Sequence, residues 1–163
     1  MTAVSFSNLA LVLQDLGDYA GAKQLLEKAM VSNEKNFGPD HPNTAVCYSN
    51  LATLLKYFGD YAGAKQLLEK AIASNEKNFG SDHPNTAVSY SNLAHVNLGL
   101  KEWQQAARLF QKAFVVFVKT LGENHPKTKN VKQNLAFVQS QLTQTTLPTS
   151  TLRRKHKKPR LKK

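Results

Sequence analysis

The fold of this chain is decided by a 42-residue segment that occurs twice almost unchanged. Residues 44–85 read TAVCYSNLATLLKYFGDYAGAKQLLEKAIASNEKNFGSDHPN, and residues 2–43 differ from them at ten positions, which leaves 32 of 42 identical. A third and more diverged copy covers residues 86–127, and a fourth begins at residue 128 and is predicted to stop after one helix. A sequence period of about 20–50 residues indicates an architecture of stacked repeats.

Each copy predicts two amphipathic helices. Apolar residues recur at spacings of three and four over residues 6–16 and again over residues 19–37, as on one face of an α-helix. Gly17-Asp18 separates the two helices and supplies a capping side chain, whereas the third copy has Lys101-Glu102 there, a weaker stop. Gly38 ends the second helix and Pro42 begins the next one, which is the usual asymmetry of helix ends. Since each helix pair carries apolar residues on more than one face, neighbouring pairs must stack.

The net positive charge of the chain comes from its C-terminal part. Its 163 residues carry a net charge of +11, yet residues 1–123 hold eleven acids and eleven bases. Residues 124–163 hold the other eleven bases and no acid. A single cysteine excludes an internal disulfide and a cysteine zinc site, which fits a reducing compartment. No run approaches the about 20 apolar residues of a membrane span, so we expect a cytoplasmic protein, or a nuclear one if it is eukaryotic.

These residues resemble the tetratricopeptide repeat, in the 42-residue form of kinesin light chains. The features that carry the resemblance are an aromatic residue at Phe6, Tyr48 and Tyr90, a Leu-Ala pair three residues later, the Gly-Asp-Tyr turn at 17–19 and 59–61, and the Gly-x-Asp-His-Pro junction at 38–42 and 80–84. The resemblance implies an all-α, right-handed superhelical solenoid. We expect three repeats at about 2–43, 44–85 and 86–127 and a capping helix at 128–142, within an array of residues 1–142 that precedes a disordered basic tail at 143–163.

The resemblance also implies that the first helices line a concave groove that binds an extended peptide. Asn8, Asn50, Asn92 and Asn134 match the position whose amide often pairs with a peptide backbone. Residues expected to give specificity around these asparagines are Leu11, Thr53, Lys56, Tyr57, His95 and Leu98. The predicted function is a non-catalytic protein- or peptide-binding adaptor. The alternative is that the asparagines make hydrogen bonds between helices.

The duplication itself favours the same face. Positions 11, 14 and 15 change chemical character between the first two copies and share one helical face, whereas the outward residues Lys23, Gln24, Glu27 and Lys28 are identical in both. Drift of exposed residues is the competing explanation. A clamp for the carboxylate of a chaperone tail would need basic residues at positions where the chain has valine and serine, so we do not expect that subtype.

No constellation of residues predicts catalysis, a cofactor or a metal. His41, His83 and His125 stand one period apart, and a repeat spacing of roughly 10 Å is too large for them to share a metal at about 2 Å. We expect each of them to close one helix and begin the next. Cys47 replaces Ser5 and Ser89, so it is predicted to be a packing residue.

The C-terminal tail suggests a second function. It contains a run of bases at Arg153, Arg154, Lys155, Lys157, Lys158, Arg160, Lys162 and Lys163. Such a run is typical of a nuclear-targeting signal or a phosphate-binding arm. The alternative function is therefore that of a nucleic-acid-associated or nuclear-targeted factor, unless the tail merely aids solubility.

Two features predict a weak homodimer. Residues 114–118 are uninterruptedly apolar, and exposed apolar patches usually mark interfaces. The first helix also has no preceding helix to cover its apolar residues. The competing account is that the capping helix folds over residues 114–118.

Overall fold

A computed structural model describes residues 3–146, with side chains from residue 5 to residue 144, and this part of the chain contains seven helices and no strand. The helices are α1 (Ala3–Asp15), α2 (Tyr19–Phe37), α3 (Pro42–Tyr57), α4 (Tyr61–Phe79), α5 (Pro84–Gly99), α6 (Trp103–Leu121) and α7 (Pro126–Thr146). Each helix packs against the next along the chain. The predicted all-α helical-repeat solenoid is confirmed, and α7 extends beyond the predicted 128–142 at both ends.

The turns within the repeats follow the predicted capping pattern. The Asp18 carboxylate accepts a hydrogen bond from the backbone N–H of Gly21 at 2.9 Å, and Asp60 does the same for Gly63. Glu102 makes no such bond, and Lys101 before it takes a positive φ of 59°. The turn before α6 is thus capped less well than the other two turns, as its sequence indicates. Glu102 instead pairs with Lys65 at 2.6 Å, which ties α6 to α4.

The junctions between repeats use the histidines as caps. Gly38 ends α2 with φ 87°, a conformation that favours glycine. The Nδ1 atom of His41 then accepts the backbone N–H of Asn43 at 3.1 Å, while the imidazole ring stacks on Phe37. His83 and His125 accept equivalent bonds, also at 3.1 Å. The predicted structural role of the three histidines is confirmed.

The core is a series of second helices, each packed against the first helix of the following repeat. Ala22 and Leu26 of α2 pack with Leu51 and Leu54 of α3. The next interface repeats this arrangement one period later, with Ala64 and Leu68 against Leu93 and Val96. Each buried leucine is worth about 1.5–3 kcal/mol relative to an exposed one, so these contacts are what stack the repeats.

The prediction that residues 114–118 form an exposed apolar patch is wrong. Val116 and Phe117 are buried, and they share a core with Val131, Leu135 and Val138 of α7. Only Val115 of this segment remains largely exposed. The capping helix covers the segment, so one of the two arguments for a homodimer fails.

Cys47 is buried, as the sequence predicts. The Nδ2 atom of Asn33 donates to its sulfur at 3.2 Å, and burial raises the pKa of the thiol.

The tail was expected to begin at residue 143, but α7 continues to Thr146. The rest of the predicted disordered tail, including the basic run from Arg153 to Lys163, lies outside the described residues.

Candidate peptide-binding groove

Helices α3, α5 and α7 line most of a continuous depression, here called the groove. Its larger part is a cavity of about 530 Å³ over α3 and α5, and its smaller part a cavity of about 430 Å³ over α5 and α7. Val88, Asn92 and Lys127 line both parts. The two cavities are therefore neighbouring sections of one surface.

Asn50 and Asn92 hold equivalent positions in the larger part of the groove. Both are half-buried, and neither side chain makes a hydrogen bond with any residue that the structure describes. An amide offers two donors and an acceptor, which is what a peptide unit requires. Helices α3 and α5 are in contact, and packed helices lie about 8–10 Å apart.

Asn134 behaves differently because it has protein partners. Its Nδ2 atom lies 3.2 Å from Nε2 of His95 and donates to Oδ1 of Asn130 at 3.0 Å. The Nδ1 atom of His95 lies 2.7 Å from the carbonyl oxygen of Ser91, so Nδ1 carries the proton and Nε2 accepts from Asn134. The alternative of hydrogen bonds between helices therefore applies to Asn134 but to neither of the two central asparagines.

His95 is held in its neutral form by its surroundings. Burial lowers its pKa from the ordinary value of 6.5, the hydrogen bond to the Ser91 carbonyl opposes this shift, and the charge of Lys56 adds to it. The ring also rests edge-on against Phe110, with centroids 5.0 Å apart. A neutral imidazole can accept the bond from Asn134, so the pair is a link between α5 and α7.

The lowered pKa predicts an acid-sensitive array. Because folded His95 binds its proton less readily than unfolded His95, the unfolded state takes up more protons below pH 6.5, and stability falls as the pH drops through that value. We expect the urea midpoint to decrease between about pH 7.5 and about pH 5.5, and to decrease less in His95→Gln. An equal decrease in both proteins would contradict this account.

The other predicted groove residues lie in different surroundings. Thr53 lines the larger cavity with Asn50, and His95 the smaller one with Asn92. Lys56 is half-buried near His95, while Asn8 and Leu11 are exposed on α1. Tyr57 stacks on Tyr19 at 4.4 Å, and both rings contact Phe58 edge-on. Asn8, Leu11, Lys56 and Tyr57 line neither cavity.

Several lining residues were not among the predicted ones. Lys127 borders both cavities, and Asn43 and Asn85 border the larger one. All three occupy the same register position, one residue after the junction proline. The repeat register could have revealed this position, because the three residues stand one period apart in the first turns of α3, α5 and α7.

The groove has a positive edge. Lys127 is the charged residue that lines the two cavities, and no carboxylate of the described residues lines either one.

The described residues also contain no group of three His, Cys, Asp or Glu side chains able to hold a metal ion. Within the same range, no helix is long and apolar enough to cross a membrane.

Comparison with known families identifies the class of protein that this groove and fold define. The family model described as the tetratricopeptide repeat matches residues 1–77, 59–114 and 89–146, and the chain belongs to this family. Arrays of this family commonly mediate the binding of proteins or peptides. Among curated proteins, none matches the chain significantly.

Several solved structures are similar to this chain, and they indicate which form of the repeat it has. The nearly identical repeats of a Podosopora anserina protein assigned as a kinesin light chain are 25% identical, with a TM-score of 0.77, over 89% of this chain and 76% of that one. BtubC from P. vanneervenii is 17% identical, with a TM-score of 0.78, over 99% and 68%. The first repeat domain of Spaghetti, bound to an HSP90 peptide, is 16% identical, with a TM-score of 0.65, over 87% and 94%. The repeats are thus similar to those of kinesin light chains.

Proposed function

We propose that this chain is a non-catalytic adaptor that binds an extended peptide in the groove. The observation that supports this most directly is that Asn50 and Asn92 are half-buried with no hydrogen-bond partner among the described residues. The two amides are therefore available to a peptide backbone laid across α3 and α5, which supplies a donor and an acceptor to each.

The lining also indicates which peptides fit. Val46 and Val88 offer apolar contacts beside the asparagines, and Thr53 adds a hydroxyl. Lys127 borders both parts of the groove, and no carboxylate of the described residues lines either part, which favours a peptide with neutral or acidic side chains beside Lys127. The Spaghetti repeat domain, which shares the fold, is a precedent for a peptide bound to such an array.

The double replacement Asn50→Ala with Asn92→Ala tests the groove. The probe is a peptide selected on the full chain from a random heptapeptide display library and then labelled for fluorescence anisotropy. Since a lost amide interaction costs about 1–3 kcal/mol, we expect each replacement to weaken binding by roughly 5- to 150-fold, with unchanged helix content by circular dichroism.

Asn36→Ala is the matched control because Asn36 is an exposed asparagine of α2 that lines neither cavity. It should leave the affinity as it was. If the double variant bound the selected peptide as tightly as the control does, the groove would not be the binding site.

A second function is supported by the position of the charge. All of the excess positive charge follows residue 123, and eight of these bases lie between Arg153 and Lys163. We therefore divide the chain into an adaptor, which ends with α7 at Thr146, and a basic tail, residues 147–163, that contacts polyanions or directs a cytoplasmic protein to the nucleus.

Removal of residues 147–163 tests the tail. Binding to DNA by eight bases should weaken with a log–log salt slope of about −7, and the truncated chain should lose retention on heparin without a change in its thermal midpoint. If the truncated chain still bound DNA at physiological salt, the charge-driven activity would belong to the repeats instead.

A further inference from the structure

Helix α1 carries an apolar face that its counterparts bury. Leu9 and Val12, here called the α1 outer face, are 40% and 51% exposed. The residues one, two and three periods after Leu9 are Leu51, Leu93 and Leu135, at 4%, 6% and 8%. The residues in the same register as Val12 are Leu54, Val96 and Val138, at 3%, 1% and 0%. The same positions are therefore buried in three repeat units and open in the first.

What covers these positions in the other units is the same each time. Helix α2 lies on α3, α4 lies on α5 and α6 lies on α7. The covering helix always presents a small residue and then a large apolar one four positions later, as in Ala22 and Leu26 or in Ala64 and Leu68. In α6 the same places are held by Ala106 and Phe110. Three helices of this chain thus show which apolar residues a helix needs in order to cover these positions.

We propose that the α1 outer face is a docking site for a partner helix of this kind, amphipathic and carrying Ala-x-x-x-Leu on its apolar side. Such a helix would extend the existing stack by the same contact that joins α2 to α3. Leu9 and Val12 line neither part of the groove, so the site is independent of the peptide-binding function.

Phe6 indicates which kind of residue the partner helix should place opposite it. In the next two units the tyrosine at this register donates its hydroxyl to a glutamate of the covering helix, Tyr48 to Glu34 at 2.6 Å and Tyr90 to Glu76. Phe6 packs on Ala29 as these tyrosines pack on their own repeats, but it has no hydroxyl. A carboxylate facing Phe6 would lack its donor. We therefore expect an apolar residue at that place in the partner.

The test uses two synthetic peptides in anisotropy titrations against the full chain. One has the sequence of residues 19–37, and the other carries Glu34→Val within it. Both are expected to bind, the second roughly tenfold more tightly because it buries no unpaired carboxylate. Phe6→Tyr in the chain should abolish this preference, and Leu26→Glu in the peptide should abolish binding.

Variants of the chain locate the site. Val12→Glu should remove binding of both peptides, and Val115→Glu, at an equally exposed valine of α6, should leave it unchanged. As a second measurement, residues 19–43 with Glu34→Val are fused directly before Thr2. The fusion should raise the thermal midpoint, and Val12→Glu should cancel the rise.

Failure of both the peptides and the fusion would overturn the proposal. Sedimentation of the full chain tests whether a second copy of this chain binds the α1 outer face instead. Self-association that Val12→Glu abolishes and Phe6→Tyr leaves unchanged would mean that a second copy pairs α1 with α1. That result would replace the second-helix partner by a homodimer.

Discussion

Replacing Phe110 by alanine is expected to lower the free energy of unfolding by about 3–5 kcal/mol. The Phe110 side chain is fully buried and sits at the centre of the core that α5, α6 and α7 share. Its ring also supports the edge of His95. The truncation therefore leaves a cavity and at the same time loosens the link between His95 and Asn134. Urea denaturation followed by circular dichroism measures the effect.

Val115→Ala is the matched control because Val115 lies on the same helix but is largely exposed. Its effect should stay within about 0.5 kcal/mol. A cost for Phe110→Ala of the same size as this control would show that α7 does not seal the core of the third repeat.

Asn97→Leu is expected to stabilise the array by about 1–3 kcal/mol. Asn97 is buried, and its Oδ1 atom has no hydrogen-bond partner among the described residues. Leu13 and Leu55 stand at the same register position in the two other repeats. The change removes an unpaired buried acceptor, whose desolvation costs about 1–3 kcal/mol, and adds apolar contacts. The urea midpoint should rise while the denaturant slope stays constant.

The reciprocal change, Leu55→Asn, provides the control for position and chemistry. Leu55 packs into the cores on both sides of α3, so an asparagine there should destabilise the array. If Asn97→Leu destabilised it instead, the carbonyl oxygen of Asn97 would have a partner, such as a bound water.

Much of the groove could be predicted from the repeat register, and its details could not. The register placed Asn50, Thr53 and Asn92 on first helices at one face, and these three line one cavity. It treated Asn134 as equivalent to Asn50, although α7 lies close enough for Asn134 to bond His95. Tyr57 stands at a variable position, but its ring finds a closer partner in Tyr19. Side-chain pairing across helices depends on which neighbours each repeat has, and an average repeat pattern does not contain that information.

The sequence by itself determined the helices, their order of stacking and the turns between them, although not the ends of α7. Helical periodicity, the Asp18 and Asp60 caps and the junction prolines act over a few residues, and a 42-residue period imposes the same local solution on every copy. Burial was decided by the tertiary structure, because it depends on residues distant in sequence. Val116 and Phe117 are covered by α7, whereas Val12, chemically equivalent to the buried Leu54, stays open. Identical repeats differ in what they expose because a stacked array gives its inner units two neighbours and its first described unit only one.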